Sequence, residues 1–245
     1  MKILFYRVIL FFILILVENS YAQNDTGIAV YSKLYVEKES TAKSLISRRL
    51  KSMESKFKEL KFELSFSNEE SIFKIKENLS LIDDRDLILV STVGGSKGIF
   101  YMYLPEGVVL NKKESFGQEF IVKKSLKSYK WNLINESKKI GNYLCYKATT
   151  FYIVKNSKGI FKHPVEVWYT PEIQVGFGPI GYGGLPGLII ELKVLDFKYQ
   201  MEKITLNPKK GVVIKKPIKG KLVTEEEFTN IGREAMGNFK SRISN

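Results

Sequence analysis

Hydrophobic and polar positions alternate along most of this chain, and that pattern sets its architecture. Ile28, Val30, Tyr31, Leu34 and Val36 predict a first strand over 27–36. A helical spacing then takes over: Ala42, Leu45, Ile46, Leu50, Met53, Phe57 and Leu60 recur mostly at steps of three or four, with Ser40 or Thr41 placed to cap the start. From Lys61 the period returns to two, with Phe62, Leu64 and Phe66 on one side. Strand-like runs follow at 72–75, 86–93, 98–104, 107–110, 115–122, 129–134, 142–154, 165–170, 188–195, 199–206 and 212–216. Gly94-Gly95, Pro105-Glu106-Gly107 and Asn156-Ser157-Lys158-Gly159 supply turns between them. A capping box, Thr224 with Glu227, opens a closing helix lined by Phe228, Ile231, Ala235 and Phe239. Many strands joined by turn-sized links predict a mainly β (α+β) protein, an antiparallel sheet with about two helices packed on it. No internal repeat or linker interrupts residues 23–245, so a single domain is expected.

The first 22 residues stand outside this pattern. Lys2 and Arg7 precede an apolar run over 8–17, and Ser20 and Ala22 place small residues before Gln23. That arrangement predicts a secretory signal peptide over 1–22, because the run falls short of the roughly 20 apolar residues a transmembrane helix needs. The mature protein is then exported, periplasmic or outer-membrane-associated, with no later span. Gln23 follows the cleavage site where a lipoprotein needs cysteine, so no lipid anchor is expected. Cys145 is the single cysteine, so no internal disulfide forms; in its alternating strand it reads as a small buried hydrophobe.

The formal charge is +13, and +12 once Lys2, Arg7 and Glu18 are removed (13 − 2 + 1). Export leaves nucleic acid without a part to play and makes an anionic envelope surface the relevant electrostatic partner. Lysines outnumber arginines 33 to six and are spread along the chain, as on a solvated surface.

The stretch 168–192 is the most distinctive: WYTPEI over 168–173, Gly178-Pro179, then Gly184-Leu185-Pro186-Gly187-Leu188-Ile189. With Tyr129-Lys130-Trp131 and the pattern over 143–149, it resembles the GLPGLI family of Bacteroidetes, exported proteins without an established activity. Val167 departs from an alanine usual in that family. The resemblance implies a β-rich envelope protein, and by fold analogy a curved sheet or open half-barrel; it carries over no catalytic residue.

Pro186-Gly187 suits the central positions of a type II turn, within a tight hairpin. Alternatively, the glycine-rich loop edges a ligand groove walled by Trp168, Tyr169, Phe177 and Tyr182, with Glu172 beside it. The loop lacks the lysine of a phosphate cradle. One histidine, His163, and one cysteine exclude multi-imidazole and cysteine-rich metal sites. No metal or other cofactor is therefore expected. Glu166, Glu172 and Glu191 sit in apolar stretches and are the carboxylates a hydrolase would use. Three functions follow. The first is a non-catalytic binding protein holding an amphipathic molecule, peptide or glycan on a concave aromatic face. The second is an interaction module for an outer-membrane protein, and the third a hydrolase using the glutamates. The expectation is of no enzyme activity.

Overall fold

A computed structural model describes residues 26–36, 44–76, 84–156 and 159–243. The signal segment and the expected caps Ser40 and Thr41 lie outside the described residues. Twelve strands form one open sheet in the order β12-β6-β5-β4-β3-β2-β1-β11-β10-β9-β8-β7. Two meanders compose it. The first runs through β2 (Lys61–Phe66), β3 (Glu70–Ile75), β4 (Ile99–Tyr103), β5 (Val108–Ser115) and β6 (Gln118–Ser125). The second runs through β7 (Asn132–Ile140), β8 (Tyr143–Asn156), β9 (Gly159–Thr170), β10 (Leu188–Val194) and β11 (Phe197–Leu206). The N-terminal strand β1 (Gly27–Tyr35) joins them, pairing with β2 on one side and β11 on the other.

The alternation read from the sequence is thus met in most places, with four corrections. The sheet is mixed, because β12 (Lys221–Thr224) lies parallel to β6. The run 86–93 is a helix, α3 (Arg85–Thr92), whose first turn is capped by Asp84 accepting from the backbone N–H of Asp86 and Leu87. Its leucine-isoleucine-leucine-valine run has no period, and such runs do not separate strand from helix; the aspartate cap decides it. The run 212–216 forms no strand and is largely exposed. Finally, the first helix is two, α1 (Leu45–Ser52) and α2 (Glu54–Glu59), broken at Met53. Ser44 caps α1, and Leu45 and Ile46 point to solvent while Leu50, Met53 and Phe57 are buried. With α4 (Glu225–Ile243), the described residues hold four helices.

The main core of aromatic and aliphatic side chains lies against one face of the sheet, with a smaller cluster of Tyr101, Val108, Leu110 and Ile121 apart from it. Phe62, Phe73, Tyr31 and Tyr199 meet in the main core at ring separations from 5.3 to 6.3 Å. In β1 the inward parity Ala29, Tyr31, Lys33 carries a lysine into this core with no exposed surface. Its Nζ donates to Val90 O at 3.1 Å, to Val93 O, and to Ser96 Oγ at 2.7 Å, capping the C-terminal end of α3. The Phe197 ring stands 4.3 Å from the same nitrogen. Burial pulls the Lys33 pKa down from 10.5 to about 7.

The capping box expected before α4 is present in both directions. Glu227 Oε2 accepts from Thr224 N at 2.7 Å, and Thr224 Oγ1 accepts from Glu227 N at 3.2 Å. Phe228 and Ile231 pin the helix to a small cluster of Phe120, Val122 and Val223. Thr224→Ala is expected to cost about 1 kcal/mol of helix stability, read as lower far-UV ellipticity and earlier melting of α4. Unchanged helicity would remove the cap from the account.

Candidate functional site

Between β9 and β10 the chain makes a 17-residue excursion, 171–187, that includes most of the distinctive sequence. It does not form a hairpin turn. It travels across the sheet's inner face until Gly181 reaches Val109 and Phe100, and Gly183 reaches Met102, on β5 and β4. Close approaches explain its glycines apart from Gly184. A Cβ on Gly183 would stand 2.4 Å from Gly176 O, and one on Gly187 would stand 2.1 Å from Thr170 O. The expected type II turn is also absent. Gly187 N donates to Leu185 O at 2.8 Å across Pro186, a three-residue turn, and Leu188 N turns away to Ile173 O at 3.1 Å. Gly184 and Pro186 are exposed, whereas Leu185, Leu188 and Ile189 are buried in the core.

Beside this excursion lies a cavity of about 430 Å³. Its walls include Phe100, Val109, Tyr129, Tyr152, Tyr182 and Phe228, and its polar groups include Asn111, Lys113, Lys124 and Glu225. Tyr129 and Tyr182 stand 4.7 Å apart, and Trp131 Nε1 donates to Gly183 O at 2.9 Å, which fixes this wall to the excursion. Lys113 Nζ sits 3.9 Å from the Phe228 ring and Lys124 Nζ 4.4 Å from the Tyr129 ring. Lys124 also pairs with Glu225 at 3.4 Å. Burial lowers the Lys113 pKa, with Glu225 pulling the other way, and burial raises Tyr129, Tyr152 and Tyr182. Asn111 Oδ1 is buried at the wall with no hydrogen-bond partner among the described residues. An orphaned acceptor of this kind costs about 1–3 kcal/mol unless something donates to it.

Of the five binding residues expected from the sequence, only Tyr182 lines the cavity. Phe177, within the excursion, is fully buried against Phe66. Trp168 and Tyr169 are successive residues of β9 and point to opposite faces of the sheet. Trp168 lies beneath Lys138, whose Nζ is 4.2 Å from its ring, and Tyr169 packs on Tyr146. Glu172 is exposed and accepts from Leu144 N at 2.7 Å. Glu191 pairs with Lys138 at 3.4 Å and Lys198 at 3.8 Å, and Glu166 with Lys147 at 3.2 Å. Neither Glu172 nor Glu191 reaches the cavity wall. His163 is half-buried on β9, its ring 6.3 Å from that of Tyr152. Cys145 is buried, and burial pushes its thiol up to about 11.

Among the described residues no three His, Cys, Asp or Glu side chains gather as metal ligands, and no helix is long and apolar enough to cross a membrane. The sequence missed Lys113, Lys124 and Asn111 because they lie on β5 and β6 among many surface lysines. The one available signal was Tyr129-Lys130-Trp131, of which Tyr129 lines the cavity and Trp131 packs against Tyr129 and Tyr182.

Residues 160–191 match the model of a family described as a protein of unknown function (Porph_ging), and that segment contains both WYTPEI and Gly184-Leu185-Pro186-Gly187-Leu188-Ile189. The resemblance to the GLPGLI proteins of Bacteroidetes therefore stands on the same residues. No curated protein matches the chain. Among solved structures it is similar to PNGF-II in a C2 crystal form, at TM-score 0.51 and 12% identity, covering 86% of this chain and 33% of that one. PNGF-II in a P21 form gives TM-score 0.50 and 11% identity, covering 86% and 34%. The chain spans about a third of the length of these solved chains, and at such identity the likeness shows the fold alone.

Proposed function

We propose that this is an exported, non-catalytic binding protein whose sheet is rolled into an open half-barrel around a small amphipathic ligand. The observation that carries the reading is the cavity wall. Val122 of β6 and Tyr152 of β8 line the same cavity, yet they stand nine strands apart in the sheet order. A flat sheet would separate them by about 43 Å at roughly 4.8 Å per strand. The hollow face is therefore strongly curved, and its aromatic lining offers an apolar bed. Lys113 and Lys124 supply donors for an anionic group, and Asn111 Oδ1 asks for a hydroxyl or amide donor.

Native mass spectrometry of the chain purified gently from its own envelope tests this. A reproducible extra mass that leaves on denaturation is expected. Asn111→Leu and Lys113→Ala should each lower the occupied fraction by about tenfold, the loss of one charged or buried hydrogen bond, without loss of fold. A bare protein mass under gentle isolation would count against a bound ligand.

A further inference from the structure

The β8–β9 hairpin is longer than its neighbours. β7 pairs with β8 no further than Thr149, and β10 pairs with β9 no further than Val165. From Phe151↔Pro164 to Asn156↔Gly159, six residue pairs, the two strands pair only with each other. They make a ribbon about 20 Å long at 3.3 Å per residue. Two-stranded ribbons of this kind are marginal in water unless something covers them.

The ribbon's side chains are the opposite of what water favours. Phe151 is 58% exposed, Ile153 52% and Ile160 64% on one face, with Phe161 at 42% on the other, where Tyr152 instead lines the cavity. Large apolar groups therefore stand out on both faces. A groove on a partner protein would bury one face and leave the other wet, whereas a lipid interface surrounds both. The charge agrees. The sequence from 150 to 164 contains three lysines, Lys162 among them, and no aspartate or glutamate, on a chain of formal charge +13. Two copies of this chain meeting arm to arm would bring those lysines together, whereas anionic headgroups neutralise them. The ribbon is too short to cross the roughly 30 Å hydrocarbon core. Its free backbone edges need the water and phosphate oxygens of the headgroup layer. Both limits place it in the interface.

We infer that this hairpin is an arm that docks the protein on an anionic phospholipid surface, with Phe151, Ile153, Ile160 and Phe161 entering the headgroup–acyl boundary and Lys162 contacting phosphate. The inference stands on the arm alone and does not depend on the cavity's ligand.

The test uses the full chain carrying Ile160→Cys, labelled with an environment-sensitive fluorophore; Cys145 is buried and stays unlabelled. Ile218→Cys, at an exposed position outside the arm, is the control. With vesicles of phosphatidylglycerol in phosphatidylcholine, emission from position 160 should rise several-fold and shift to the blue. It should not change with phosphatidylcholine alone, and position 218 should stay flat. Lys162→Gln should weaken the response by about fivefold, the share of one basic residue near a charged surface. An unchanged signal at 160, or an equal rise at 218, overturns the inference. A rise that tracks protein concentration without vesicles also overturns it, and assigns the arm to a second copy of the chain.

Discussion

Gly187→Val should abolish the cooperative melting transition. Gly187 is buried where the excursion rejoins β10, and any Cβ there would lie 2.1 Å from Thr170 O, 2.6 Å from its carbonyl carbon and 2.9 Å from Pro171 N. All three are backbone atoms of β9 and its exit, so no side-chain rotation relieves the overlap. Relief requires separating β9 from β10, whose pairing from Leu188↔Thr170 onward begins at this point. A cost above about 4 kcal/mol is expected, the range of severe overpacking and strain. Gly184→Ala gives the contrast within the same motif. Gly184 has φ +82° but open space around its Cβ position, so only the left-handed backbone is penalised, by about 1 kcal/mol. Calorimetry of the two variants decides: a Gly187→Val melting temperature near that of the parent would discard this packing.

The second large effect is a rise of stability with pH that belongs to Lys33. The usual lysine gains a partner on folding and its pKa rises; this one is desolvated among Phe57, Phe197 and Tyr199, and its pKa falls to about 7. Between about pH 7 and the unfolded value of 10.5 the unfolded chain binds the extra proton, so unfolding is disfavoured as pH rises. The gain from about pH 7 to about pH 9 is on the order of 2 kcal/mol. Nearer pH 10 the buried Tyr31 and Tyr199, whose pKa values burial raises, oppose any further gain, since only the unfolded chain ionises them. Urea unfolding at the two pH values should therefore show a steeper rise in the parent than in Lys33→Met. Equal slopes would mean that Lys33 is hydrated, and would remove its burial from the account.

Much of this fold was legible because a half-buried strand writes its two faces into alternate residues, as Phe62, Leu64 and Phe66 do. The rest failed for identifiable reasons. The run 86–93 is apolar without a period, and its helical nature rests on the Asp84 cap. The strand β12 holds four residues, of which only Val223 is buried, and it pairs parallel, so neither length nor alternation marks it. The candidate site was legible in one residue, Tyr182. Its distinctive motif is closely packed: backbone meets backbone at Gly176 with Gly183 and at Gly187 with Thr170, side chains crowd Gly178 and Gly181, and Gly184 keeps open space. The groups that give the cavity its polarity come from strands distant in sequence, and nothing local in Asn111 or Lys113 points inward. Lys33 carried a usable signal, a charged residue on the inward parity of β1 beside Ala29 and Tyr31.

The position of β1 also constrains the order of assembly. It is the first strand made, yet it lies at the seam between the two meanders, with Gly27 opposite both Phe66 and Leu206. One half of its pairing can form early; the other must wait for the last strand of the second meander. Closing a loop of that length before any reward makes folding slow. A nascent chain therefore holds an open seam on β1 until residue 206 has emerged, and in that interval an added β11 peptide could compete for the place.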